Sequence, residues 1–213
     1  MSLRLLLLFS MATLFAQVES QLFQYEEIKE ISLEGRGKVE IHQGSVNQLE
    51  VIGDLLQKSH GSVLALCITD PLQMKLTVKN LEKISLDGEV HVDINELKGK
   101  RLVTHSQGKS LLEGTLYFEQ VITTIQGNAQ ATFQGKVHDQ TICIKGKGVF
   151  AGESLETQKT TVTIQGAGVA QVWATDDLNS SVLGRGHIQY MGAPQKMHQY
   201  VEGMGRIFSY ESF

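Results

Sequence analysis

The chain has 213 residues, 41% of them hydrophobic and 20% charged, with a formal net charge of −4. That balance excludes a disordered chain and leaves room for a sizeable core. The small, dispersed charge and the lack of any basic cluster exclude nucleic-acid binding and charge-driven attachment to a membrane surface.

At the N-terminus, Arg4 precedes the apolar run from Leu5 to Ala16. A charged start with a short apolar stretch has the form of a secretory signal, too short for a membrane-spanning anchor. Cleavage is expected after Ser20, with Val18 at the −3 position, or alternatively after Ala16. Residues 1–20 are therefore expected to be a signal peptide and 21–213 a single exported domain, in the periplasm, at the cell surface or secreted. No later apolar stretch is long enough to cross a bilayer, so no transmembrane segment is expected after cleavage.

Residues 21–81 alternate as strands do, but irregularly. Ile31, Leu33, Val39 and Ile41 share one parity; Leu49 and Val51 close a second run. Val63 to Ile68 leads into the Asp70-Pro71 turn signal before Met74, Leu76 and Val78 resume the alternation. Gly35 and Gly88 are 53 residues apart, not a multiple of the spacing that follows. This segment is expected to form an N-terminal β-layer capping whatever lies beyond it.

From residue 82 to 210 a glycine-centred motif recurs. Its centres are Leu86-Asp87-Gly88, Ser106-Gln107-Gly108, Gly127-Asn128-Ala129, Gly146-Lys147-Gly148, Gly166-Ala167-Gly168, Gly184-Arg185-Gly186 and Gly203-Met204-Gly205. First positions are 20, 21, 19, 20, 18 and 19 residues apart, a period that marks solenoids. Two residues before each centre stands Ile84, Thr104, Ile125, Ile144, Ile164, Val182 or Val201, all β-branched and suited to a pleated strand. After each centre, apolar or small residues alternate with polar ones, as in Phe150, Ala170 and Ile188. Each unit is a strand, a bend and a strand, and one unit cannot bury its apolar face alone. Stacking at about 4.8 Å per rung lets equivalent residues form internal ladders. The expected fold is all-β: a single-stranded parallel β-solenoid, β-helix-like, with coils of about twenty residues. Gly88, Gly108, Gly127, Gly146, Gly148, Gly166, Gly168, Gly184, Gly186, Gly203 and Gly205 are expected to be structural, turning corners of the wall. No triplet extends to a dinucleotide fingerprint or a phosphate loop, and no cofactor is implied.

Cys67 and Cys143 are 76 residues apart, nearly four coils, and so well beyond the ~7 Å Cα limit of a disulfide. Chemistry-bearing groups are sparse. Asp176-Asp177 offers two carboxylates, but neighbours on a strand point oppositely. His91 and Asp93 share an outward face, and His105 is the candidate to join them from the next unit, yet three metal ligands are not demonstrable from the spacing. No catalytic residue and no metal site is assigned. Trp173 follows an inward Val172 with Gln171 beside it, and Tyr117 has the same posture beside Phe118. Outward aromatics anchor recognition of proteins and sugars. Trp173, Gln171 and Tyr117 are therefore the candidate ligand-binding residues.

The Phe23-to-Asp54 pattern, the Ile-x-Gly-x-Gly repeats and the run Val182 to Pro194, with its Ile188-x-Tyr190-x-Gly192-x-Pro194 element preceded by Ala174 and Leu178, resemble a family of bacterial exported proteins of unknown function. It is called the autotransporter adhesin head, GIN domain. The resemblance covers roughly Phe23 to Ile207. It implies a β-helix-like solenoid outside the cytoplasm, adhesin-like, with no catalytic residues to carry over. Asn128-Ala129 and Leu86-Asp87 depart from the Gly-Ser-Gly type of bend. The expected function is non-enzymatic binding or adhesion at the bacterial envelope, to a protein or glycan, and self-association is compatible with it. The alternative is a polysaccharide-active β-helix enzyme.

Overall fold

The computed structural model describes residues 20–52 and 56–210, and 82% of the structure is strand. The proposed signal peptide lies outside the described residues except for Ser20. The chain order is β1 (Ser20–Tyr25), β2 (Glu30–Gln43), β3 (Asn47–Ile52), β4 (Leu56–His60), β5 (Val63–Val78), β6 (Lys83–Ser106), β7 (Leu111–Gly127), β8 (Gln130–Gly146), β9 (Val149–Gly166), β10 (Val169–Gly184), β11 (His187–Met191), β12 (Lys196–Gly203) and β13 (Arg206–Ser209). Parallel coils of about 19 residues stack into a β-solenoid of about six turns, the architecture that the repeat implies. No helix among the described residues is long and apolar enough to cross a membrane.

The stack runs β5, β2, β6, β7, β8, β9, β10, each parallel to its neighbour. β2 therefore belongs to the regular stack, inserted between β5 and β6, with Gly35 beside Gly88 and Ile31 beside Ile84. This explains the odd 53-residue gap: the chain builds a rung, leaves to make the cap, then returns on its other side. The antiparallel layer is narrower than 21–81 and consists of β1, β3 and β4. β3 covers the Gln73–Thr77 half of β5, β4 covers the Val63–Cys67 half, and β1 lies outside β3.

The structure also shifts the register of the first two motifs by two residues. Gly88 and Gly108 stack with the first glycine of later triplets: Gln107 and Lys109 donate to Leu86 and Gly88 carbonyls, as Lys147 does to Gly127. The backbone explains the choice, since every first-position glycine from Gly88 to Gly203 has positive φ. The residues preceding the bends in this column are consequently Leu86 and Ser106, not Ile84 and Thr104; both are buried but neither is β-branched. Ile84 and Thr104 lie one inward position earlier, where Thr104 donates a buried 3.1 Å hydrogen bond to Thr123.

The core is a set of ladders of equivalent residues. One runs Val39, Val92, Leu112, Ala131, Phe150, Ala170, Ile188, and every member is at most 1% exposed. Large and small side chains alternate along its middle, so each ring fills space left by an adjacent alanine. Phe150 also meets Phe133 edge-on, with centroids 6.0 Å apart and planes at 65°. Full burial of one such side chain contributes roughly 1.5–3 kcal/mol. Both cysteines are free: Cys67 is exposed on β5 and Cys143 half-buried on β8, four rungs away.

A groove across four rungs of the outer wall

Two outward columns frame a concavity in the wall. The first runs Asp93, Glu113, Thr132, Ala151, Gln171, Gln189 from β6 to β11. A second runs Lys98, Tyr117, Lys136, Glu156, Trp173, Met191. Between them the wall turns a corner whose length varies. Four or five residue steps separate the columns in β6 to β9, from Asp93 to Lys98, Glu113 to Tyr117, Thr132 to Lys136 and Ala151 to Glu156. Gln171 and Trp173 in β10 are only two apart. Bulges at Ile94/Leu97, Thr132/Gln134 and Val172/Trp173 absorb the difference. Such insertions re-aim side chains and bend the wall locally.

The result is a groove of about 430 Å³ running across β6 to β9 and ending where β10 closes the corner. Asp93, Asn95, Glu113, Thr115, Gln134 and Glu153 are among its polar lining residues, while Gly114 and Ala151 contribute little or no side chain and leave it open. Gln134 Nε2 donates to Thr115 Oγ1 at 2.9 Å, tying adjacent rungs together. Asn95, Gln134 and Ser154 do not stand out in the sequence, because the bulges break the constant spacing by which the other columns can be followed.

One end of the groove carries an ionic cluster. His91 Nε2 lies 3.0 Å from Asp93 Oδ1 and 3.3 Å from Glu113 Oε2, and Lys38 Nζ is 2.7 Å from Asp93 Oδ2. The third group beside His91 and Asp93 is thus Glu113. His105 lies further along β6, beside Thr124. Hydrogen bonding by Lys38 holds the Asp93 carboxyl below its usual range against the opposing effect of burial, with the charges of His91 and Lys38 adding to it. One imidazole and two carboxylates could hold a metal ion, but the Lys38 ammonium already supplies the positive charge at Asp93. The geometry is that of an ion-pair network.

Tyr117 is 40% exposed, with Lys98 Nζ 5.2 Å from its ring centroid. Trp173 shares its column three rungs away, about 14 Å at the usual strand spacing. The indole is half-buried, and Gly192 packs closely against its Cδ1 edge. Gln171 continues the groove's first column and donates to Gln189 at 3.1 Å. The two carboxylates of Asp176-Asp177 do not converge on a shared site. Thr175 donates to Asp176 and Asn179 to Asp177, at 3.1 and 3.4 Å.

No curated protein matches this chain. Its fold does match solved structures. A putative adhesin from Bacteroides fragilis superposes with a TM-score of 0.85 at 20% identity, covering 90% of this chain and 96% of that one. A putative lipid binding protein from Parabacteroides distasonis gives 0.70 at 15% identity (91% and 96%). A putative adhesin from Parabacteroides merdae gives 0.67 at 19% identity (91% and 96%). At these identities the likeness is one of fold. The sequence itself matches a family model over residues 25–194, from the antiparallel cap through the Ile188-to-Pro194 element, and the chain belongs to the family described as "Putative auto-transporter adhesin, head GIN domain".

Proposed function

We propose that this protein is an exported, non-enzymatic binding module of the bacterial envelope that holds a neutral glycan along the β6–β9 groove. The family supports an adhesion-type role. The observation that carries the ligand class is the groove itself: four successive rungs line it with carboxylates, amides and hydroxyls, and Tyr117 is exposed two residues beyond Thr115. Carboxylates accept and amides both donate and accept, which suits rows of sugar hydroxyls, and an aromatic face packs against a pyranose ring. With Asp93 paired to Lys38, Glu113 and Glu153 make the groove acidic, so uronic or sulfated polymers would be repelled and neutral ones favoured. Gln171 and Trp173 mark the closed end and, with Tyr117, flank the ligand in this reading.

A two-carboxylate glycan hydrolase would need one carboxyl held protonated as general acid. Asp93 is shifted in the opposite direction by Lys38. Calorimetric titration with neutral and acidic polysaccharides tests the reading. Neutral glycans should bind, and Glu113→Gln with Gln134→Ala should weaken binding about tenfold or more. Release of reducing ends or unsaturated products would establish the enzyme instead, and equal binding by the double variant would remove the groove from consideration.

A further inference from the structure

The two ends of the solenoid are finished differently. At the N-terminal end β1, β3 and β4 cover the last parallel rung. At the C-terminal end β12 pairs with β10 and, among the described strands, with nothing on its other edge. The interior ladders run into this open rung. Leu178 and Val182 are fully buried on β10, but their successors Met197 and Val201 on β12 are 45% and 42% exposed. An uncovered edge with an apolar inner face is a template for another strand.

The sequence of β12 indicates which strand that is. Asn179, Ser181 and Asp177 place His198, Tyr200 and Lys196 on the outer face, while Leu178, Ser180 and Val182 place Met197, Gln199 and Val201 on the inner one. Pair this strand with an antiparallel copy of itself, centred on Gln199. Lys196 then falls opposite Glu202, Met197 opposite Val201, His198 opposite Tyr200, and Gln199 opposite itself. Charge meets opposite charge on the outer face, and apolar meets apolar within. Moving the centre to His198 or Tyr200 sets Gln199 against Met197 or Val201 and separates Lys196 from Glu202. Only the Gln199 register satisfies both faces. A two-fold axis normal to this sheet reverses the strand and the stacking direction but leaves the inner face inward, so the two cores become continuous and the contact closes on itself.

We propose that β12 is the interface through which two copies of this chain join end to end, antiparallel about a two-fold axis at Gln199. The interface lies apart from the β6–β9 groove and does not depend on what that groove binds. Two grooves would be displayed on one elongated particle, which raises avidity for a polymeric ligand.

Sedimentation equilibrium of the purified protein should give the mass of two chains. Val201→Lys, which places a charge on the exposed inner face, and Glu202→Lys, which sets like charges opposite, should each raise the dissociation constant about tenfold or more. Lys196→Glu combined with Glu202→Lys should restore dimerisation, and circular dichroism of each variant checks that the coils remain folded. In a Cys67→Ser, Cys143→Ser background, Gln199→Cys should form a covalent dimer on mild oxidation, because directly opposed Cα atoms lie about 4.5–5.5 Å apart, within disulfide reach. A protein that stays monomeric up to about 100 μM, or a dimer that Val201→Lys leaves intact and Gln199→Cys does not cross-link, would overturn the proposal.

Discussion

The glycine ladder makes a sharp prediction, because two kinds of glycine can be separated within one molecule. Gly166 has φ of 125°, and a Cβ placed on it would stand 2.6 Å from the Gly146 carbonyl oxygen of the preceding coil. That oxygen accepts the Ala167 N–H at 2.8 Å, so it cannot retreat without opening the ladder. Gly61, in the β4–β5 turn, also has positive φ, 59°, but nothing lies within 4 Å of its Cβ position. Ala at Gly61 therefore incurs only the left-handed backbone cost, about 1–2 kcal/mol. Ala at Gly166 incurs a backbone cost of about 1–3 kcal/mol and, in addition, the displacement of a packed rung, about 1–3 kcal/mol. The sum, roughly 2–6 kcal/mol, corresponds to a fall in Tm of about 4–24 °C in a protein this size. Urea denaturation of both variants gives the comparison directly, read from the midpoint at unchanged slope. If Gly166→Ala costs no more than Gly61→Ala, close backbone approach between coils is not what requires glycine in this column.

Three further outcomes are expected. Phe150→Ala should lose about 3–5 kcal/mol in calorimetry, because its ring is fully buried against Phe133 and small neighbours cannot close the gap. Lys38 lowers the Asp93 pKa on folding; a depressed carboxyl stabilises above its unfolded value, and that contribution disappears as pH falls through the folded value. Lys38→Ala should accordingly lower Tm at neutral pH by an amount that shrinks as the medium is acidified below the ordinary Asp range of about 4, and a loss that does not change with pH would assign the effect to something else. Since both cysteines are free, Tm should be unchanged by a reducing agent, and Cys67 should be alkylated before the half-buried Cys143.

How much of this was written in the sequence depends on how local the determinant is. Strand alternation and the glycine period are set by residues within one coil, so the solenoid is legible from them; Phe150, Ala170 and Ile188 fall on one inner ladder, as their spacing demands. Register within a motif is less local. Leu86-Asp87-Gly88 and Gly184-Arg185-Gly186 look alike in pattern, but only the backbone shows that Gly88 shares a column with Gly184, because positive φ and the carbonyl contact belong to the first glycine alone. Least local is the insertion of β2 between β5 and β6, decided by pairing across 53 residues from Gly35 to Gly88. A period search along the chain assumes that successive rungs are neighbours, and here the first rung is joined to its neighbour only after the cap has been built.

The groove is hidden for a related reason that bears on function. A solenoid with identical coils has straight outer columns, and its wall offers ladders but no pocket. Varying the corner by a few residues between rungs, five steps in β6 and β9, four in β7 and β8, two in β10, indents the wall where the extra residues turn. The residues that depart from the repeat are therefore the ones that shape a recess, and they escape any search that rewards periodicity. Tyr117, Gln171 and Trp173 are visible because they sit on regular columns; Asn95, Gln134 and Ser154 are not, because they belong to the irregular corner between them. In a repeat protein the conserved period specifies the scaffold, and the departures from it are where a binding surface must be sought.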